Sequence, residues 1–433
     1  MFRMILPYFT PDFAGIGGTL KNRVEDFFVQ EIPLYEPADE GEHIYVEIQK
    51  AGIPTFEAVH RLARSLRVPQ RNIGYAGLKD ARAVTRQIFS IAGTTEAAVM
   101  SAYLPDMTVQ WAARHRNKLR LGHLAGNRFA IKVRDVQPTD VIRLRPVIDL
   151  LTRRGSPNYF GEQRFGRRDN NHQLGAALLR NDHDALLHDL LGNPDETIDD
   201  ADALAARQAF EQRDFETSLK AWPRNYGLEC RVLSRLVKTG NPAAAVGAID
   251  QKLRRLWVSA LQSRIFNEIV AARISSLDRL MDGDLAYRHD NGACFLVESA
   301  LIEQTRCDAF EISPSGPLLG SRTDFPLHDP RQIEIAVMNR FGVSVELFRG
   351  IARGARRPLR VRPMDVSLEA GVDEHGPYIT VAFTLPAGAY ATVFMRELMK
   401  TDLRGSSRTP GADERSNTEH DEDAAEDGHE AEA

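Results

Sequence analysis

Asn72-Ile-Gly-Tyr-Ala-Gly-Leu-Lys-Asp-Ala-Arg-Ala-Val-Thr-Arg-Gln87 is the most informative stretch of this chain. Gly74 and Gly77 permit a tight loop, because glycine adopts backbone angles closed to other residues. Asp80 follows as the single acid between His60 and Arg86, among seven basic residues: Arg61, Arg64, Arg67, Arg71, Lys79, Arg82 and Arg86. Neighbouring cations favour the ionised form of a carboxyl group. A carboxylate held in basic surroundings can serve as nucleophile or base on a polyanionic substrate. The same position also suits a turn or N-cap residue, or a plain salt-bridge partner.

The surrounding composition narrows the classes. With 433 residues, 43% hydrophobic and 27% charged, the chain reads as a globular protein of two or three domains, or one core with a large insertion. No run of apolar residues is long enough to predict a membrane-spanning helix, and the apolar N-terminal stretch is too short for a signal peptide, so a cytoplasmic location is expected. The net charge of -5 hides an uneven distribution. Residues 404–433 hold ten acids against three arginines, which leaves the rest at +2, with 52 basic and 50 acidic side chains. A second basic run, 111–134, has seven cations and no acid, and Arg353, Arg356, Arg357, Arg360 and Arg362 form a third. Several clusters nearly free of acids point to a polyanionic partner.

Several chemistries lack their motifs. Cys230, Cys294 and Cys307 form no CxxC pattern and the twelve histidines show no ligand spacing, so neither a disulfide framework nor a metal site is expected. Walker A, HExxH and GxSxG motifs are absent. Gly15-Ile-Gly-Gly18 lacks the spacing of a dinucleotide fingerprint and reads as a surface turn. A cofactor-free site of carboxylate, basic and aromatic residues remains.

Hydrophobic periodicity predicts strands at 24–32, 43–49 and 128–135. In the last, Phe129, Ile131 and Val133 alternate with Ala130, Lys132 and Arg134, one buried face against one basic, wet face. A helix is expected over 56–66 with Thr55 as N-cap, and another over 139–154 ended by Gly155 and Pro157. Residues 172–275 read as mostly helical and 281–330 as turn-rich. Strand and helix return at 378–385 and 390–399, and the acidic segment beyond Arg404 is expected to be disordered.

Six segments, in order, resemble one family. Gly77-Leu-Lys-Asp-Ala-Arg-Ala-Val-Thr-Arg-Gln87 is similar to the signature of the TruD family of tRNA pseudouridine synthases. Lys21-Asn-Arg-Val-Glu-Asp-Phe-Phe-Val-Gln-Glu-Ile32, Gly126-Asn-Arg-Phe129 and Pro157-Asn-Tyr-Phe-Gly-Glu-Gln-Arg-Phe-Gly166 resemble its other motifs. So do Leu261-Gln-Ser263 with Phe266-Asn267, and Leu385-Pro-Ala-Gly-Ala-Tyr-Ala-Thr392 followed by Arg396-Glu-Leu398. The resemblance implies isomerisation of uridine to pseudouridine at position 13 of tRNA, by a monomer with no metal and no small-molecule cofactor. It implies Asp80 as the catalytic residue, attacking C1′ or C6 or removing a ribose 2′ proton.

It further implies an extruded base whose faces need aromatic partners. Phe27 and Phe129 are the matched aromatics, although Phe129 is also in phase for packing within its strand. Tyr390 falls where the family usually places Phe. Asn127 suits reading a uracil edge, and Lys21 and Lys79 suit orienting Asp80 or holding a phosphate. The expected fold class is α+β. A pseudouridine synthase catalytic domain with a mixed, mainly antiparallel sheet and helices is expected from 1–154 and 365–402. A large inserted TRUD domain is expected over 155–364, with a tail at 403–433. The competing readings are an RNA-binding protein of this fold without catalysis and a carboxylate hydrolase. The second would need another acid paired with Asp80.

Overall fold

Alternating buried side chains shape the first half of the chain, and the computed structural model, which describes residues 6–79 and 82–401, turns that alternation into one large sheet. Asp80 and the acidic tail lie outside the described residues.

The elements run in chain order as β1 (Phe27–Pro33), β2 (His43–Ala51), α1 (Thr55–Leu66), β3 (Ile73–Tyr75), β4 (Val84–Ala92), α2 (Glu96–Met100), β5 (Met107–His115), β6 (Leu124–Arg134), α3 (Val141–Arg154) and β7 (Ser156–Pro157). Helices then dominate: α4 (Asn171–Leu179), α5 (His183–Leu191), α6 (Ala201–Glu211), α7 (Phe215–Ala221), α8 (Gly227–Thr239), α9 (Pro242–Val246) and α10 (Gln251–Ala272). After these come β8 (Leu285–Arg288), β9 (Cys294–Leu296), α11 (Ala300–Asp308), β10 (Ile312–Leu318), α12 (His328–Phe341) and β11 (Ala355–Pro358). The described chain closes with β12 (Arg360–Val361), β13 (Met364–Asp373), β14 (Gly376–Pro386) and α13 (Ala391–Met399).

Two compact units result. The first takes the chain up to Tyr159, Ile274–Asp278 and everything from Leu359. The second takes Phe160–Arg273 and Arg279–Pro358.

The sheet of the first unit has the order β13-β14-β6-β1-β4-β2-β5, with β3 added to β4. Every pairing is antiparallel except β1 with β4. The α+β class with a mixed, mainly antiparallel sheet therefore holds. On β6, Phe129, Ile131 and Val133 are buried, as their period of two requires. The opposite face is only in part the basic, wet surface expected: Arg128 is exposed, but the cations nearer the strand's end are engaged. Arg134 is 5% exposed, its guanidinium bonded to Asp26 at 2.6 Å and to Asp373 at 2.6 Å, while Lys132 lies 3.1 Å from Asp373. Those hydrogen bonds from Arg134 hold the Asp373 carboxyl well below the usual carboxylate range. The acids stand 108 and 239 residues away in sequence, so local charge counting could not pair them.

Other local expectations are corrected in the same way. The turn at Val24–Asp26 is 3-10 helix and the strand starts only at Phe27. Helix α1 begins at Thr55 itself with Pro54 as N-cap, and the Thr55 hydroxyl is used elsewhere. The glycine segment 15–18 is packed rather than a surface turn. A Cβ on Gly15 would run into the Met399 carbonyl oxygen, and Ile16 and Gly17 donate N–H groups to Leu398 and Met399 at the end of α13. The region 281–330, read as turn-rich, carries three strands and a helix.

In the second unit, α10 is the axis, about 33 Å long. Its neighbour α4 approaches so closely at Gly175 that a Cβ there would overlap the Trp257 carbonyl. The third arginine cluster proves largely structural within its own unit. Arg356 bonds Glu334 at 2.5 Å, and the Arg357 guanidinium sits 4.4 Å from the Phe160 ring centroid. In the first unit, Arg360 is buried and donates to the Arg154 carbonyl at 2.7 Å.

His172, in the first turn of α4, carries a testable consequence. It is 7% exposed, and its Nδ1 has no partner. Burial, reinforced by the Arg264 cation, lowers its pKa to about 3. The imidazole is thus neutral in the folded protein, whereas the unfolded chain takes up a proton below about pH 6.5. Stability should therefore fall as pH drops from about 6.5 toward 3, by up to about 1.4 kcal/mol per pH unit from this group. Denaturant unfolding of the native protein and of His172→Gln between pH 6 and 5 should give a shallower pH dependence in the variant. Parallel slopes would remove the assignment.

Candidate active site on the eight-stranded sheet

The β1–β6 register builds the site. Val29 stands opposite Phe129 and Glu31 opposite Asn127, and on the far side of β6 Phe383 and Leu385 of β14 oppose the same two residues. Phe27, Val29 and Glu31 share the buried face of β1. A carboxylate at a position otherwise given to apolar side chains must be paired.

Lys79 supplies the pairing. Its ammonium lies 2.9 Å from Glu31 Oε1 and donates to Asn127 Oδ1 at 2.8 Å, with the Lys79 and Glu31 side chains 7% and 1% exposed. Glu31 Oε2 also accepts the Ile88 N–H of β4 at 3.0 Å. One buried cation therefore joins β1, β6 and the loop after β3.

The backbone of that loop is fastened as well. The Lys79 N–H donates to Thr55 Oγ1 at 2.9 Å, and Thr55 Oγ1 donates to Gln87 Oε1 at 3.1 Å. Gln87 Nε2 donates to the Gly77 carbonyl at 2.7 Å. Thr55 and Gln87 are both buried. Residues 77–79 are thus tied to α1 on one side and β4 on the other, and Asp80 is the next residue in the chain.

Two of the aromatic candidates, Phe27 and Phe129, belong to a continuous row with Phe383 and Phe394. Phe27 meets Phe129 edge-on at 6.5 Å, Phe129 stacks on Phe383 at 5.2 Å, and Phe383 contacts Phe394 of α13 at 4.5 Å. Lys21, at φ 57 in the left-handed region, places its ammonium 4.6 Å from the Phe27 ring centroid. Tyr390 is half-buried and starts α13, where its carbonyl accepts from the Val393 and Phe394 N–H groups.

Lys79 touches Asn127, Lys21 touches Phe27, and Phe27 meets Phe129, and the register bridges the two groups. Glu31, Thr55 and Gln87 join them, although sequence reasoning names none of the three as a site residue. Glu31 had a readable signal, an acid in phase with Phe27 and Val29. Thr55 and Gln87 had none, since their partners are 24 and 10 residues away in the chain. With Oδ1 taken by Lys79, the Asn127 amide NH2 has no protein partner among the described residues and is available as a donor.

Phe129, 8% exposed, packs as core through Phe383. Phe129→Ala should cost about 3–5 kcal/mol of stability by leaving a cavity in this row. A base-stacking role would add a loss of about 1–3 kcal/mol in productive substrate binding. Thermal melts beside substrate titrations separate the two, and a variant unchanged in both would contradict both roles.

Known proteins resemble this chain along most of its length. The profile of the family tRNA pseudouridine synthase D (TruD) matches residues 4–398. A tRNA pseudouridine synthase D of Geobacter sulfurreducens is 43% identical over 404 residues, covering 92% of this chain and 98% of its own. That of Thermus thermophilus is 36% identical over 399 residues, covering 92% of each. Among solved structures, a crystal structure assigned to tRNA pseudouridine synthase D (TruD) of Methanosarcina mazei superposes with a TM-score of 0.80 at 31% identity. It covers 92% of this chain and 97% of its own.

Proposed function

The chain belongs to the TruD family of tRNA pseudouridine synthases, and from that we propose that it converts uridine to pseudouridine in tRNA, at position 13, in the cytoplasm, with Asp80 as the catalytic carboxylate. The reaction is an isomerisation. The bond from N1 of uracil to C1′ breaks, the base turns, C5 bonds to C1′, and the proton lost from C5 is balanced by one gained at N1. It calls for an acidic group at a fixed position, a dry aromatic wall, and polar contacts that keep the detached base from leaving.

The observation that carries this reading is the anchoring of Lys79. Its backbone N–H is held by Thr55 and its side chain by Glu31 and Asn127, so the residue that follows is launched from a fixed point. Asn127 offers an amide donor suited to a uracil carbonyl. Phe27 and Phe129 supply apolar faces for a base taken out of its stack. Lys21 and Lys79 set the local charge, and Tyr390, the N-cap of α13, is proposed as a further substrate contact.

The test uses an unmodified tRNA transcript labelled with tritium at uridine C5. The purified protein should release one tritium per tRNA, and mapping should place the pseudouridine at position 13. No release, or a product at another position, would overturn the corresponding part of the proposal.

A further inference from the structure

Helix α1 begins beside the anchored loop and leads away from it. Thr55, its first residue, bonds the Lys79 N–H, and the helix then extends about 18 Å. Ala58, Val59, Leu62 and Ala63 bury one side of it. Phe56, His60 and Arg64, spaced by four residues, share the exposed side, and Arg67 continues it as C-cap.

Phe56 is 39% exposed and meets the Tyr75 ring edge-on at 6.1 Å. Tyr75 ends β3, two residues before Gly77 of the anchored loop. Arg71 stands in the 3-10 turn Gln70–Asn72 that leads into β3. The Arg71 carbonyl accepts from the Lys118 ammonium at 2.7 Å, and the His60 ring lies 3.2 Å from the Gln70 amide nitrogen. The His60–Gln70 bond and the Phe56–Tyr75 contact join α1 to the segment that leads through β3. The acid on the exposed flank, Glu57, is engaged by Arg61 at 2.7 Å. Arg64, Arg67 and Arg71 are exposed and make no ion pair among the described residues.

An aromatic ring next to the reaction loop, followed by uncompensated cations at intervals, is the pattern that grips a nucleic-acid strand. A base stacks on the ring, and the cations neutralise phosphates. We propose that the stripe formed by Phe56, Arg64, Arg67 and Arg71 receives the RNA chain flanking the target uridine, Phe56 stacking on a neighbouring base and the arginines holding the backbone. This rests on the tRNA reading above and adds to it the surface that holds the flanking nucleotides. In the other arginine-rich segments, Arg134, Arg356 and Arg360 are consumed inside their own units.

The experiment measures binding of an unmodified tRNA transcript to the whole chain across a range of salt concentrations, beside single-turnover rates. Replacing three phosphate-binding arginines in R64Q/R67Q/R71Q should weaken Kd at least about tenfold near 0.1 M salt. It should also make the plot of log affinity against log salt shallower by about two, about 0.7 for each single-strand phosphate no longer neutralised. F56A should weaken Kd about tenfold with its salt slope unchanged, and F56W should restore binding. All four residues are exposed, so thermal melts should match the native protein. Binding curves of the triple variant that overlay the native ones would overturn the proposal. So would an F56A protein that loses saturating rate but keeps its Kd. Native protein that forms no pseudouridine would instead refute the functional reading itself.

Discussion

Asp80→Asn should reduce pseudouridine formation by at least about a thousandfold while leaving tRNA affinity within about twofold of native. The substitution keeps the side-chain shape and removes its charge and basicity. Binding depends on cations and aromatic faces, which the substitution leaves in place. Tritium release under single-turnover conditions reads the chemistry, and filter binding reads the affinity. Turnover near the native level would end the assignment. Equal losses of binding and turnover would mean that Asp80 supports the loop rather than the reaction.

The second large effect concerns Lys79. Replacing it with Met should destabilise the protein by about 3–5 kcal/mol, because the Glu31 carboxylate is left in the sheet without its counter-ion. The Ile88 N–H would remain as its one described donor. Adding Glu31→Gln should recover most of that stability. A neutral amide still accepts from Ile88, and its own NH2 can reach the Asn127 oxygen vacated by the ammonium. Activity should not recover with it, since the cation that ties the loop to β6 is still missing. Denaturant unfolding of the two variants, with turnover measured on both, checks this. A single variant that unfolds at the native midpoint would show that the pair adds nothing to the fold. A double variant with native turnover would show that Lys79 serves structure alone.

Particular residues mark how much of this is legible from sequence. Phe129, Ile131 and Val133 disclose β6 and its buried face, because a strand's period of two is local information. The same reading puts Arg134 in water, since nothing nearby in sequence announces Asp26 and Asp373 as its partners. The family motifs point to Lys79 and Asn127 together, but the role of Glu31 between them requires the β1–β6 register. Thr55 shows the commonest failure. As a helix-start residue it suggests a cap, and a bond with Lys79 claims its hydroxyl instead. Charge counting finds the basic segments but cannot divide spent arginines from available ones. That division depends on acids brought in by remote strands.

The position of β14, between β13 and β6, has a consequence for synthesis. It pairs with β6 from Gly126 to Arg134, yet Tyr378, the partner of Arg134, is made about 240 residues later. At ribosomal speeds of roughly 5–20 residues per second, β6 waits about 10–50 s with one edge open. An open hydrophobic edge invites pairing with other chains. Arg128 and Lys132 place like charges on the waiting strand, the kind of charge that disfavours pairing with a second copy of it. Asp373, emerging just ahead of β14, then pairs with Lys132 and Arg134 as the edge closes.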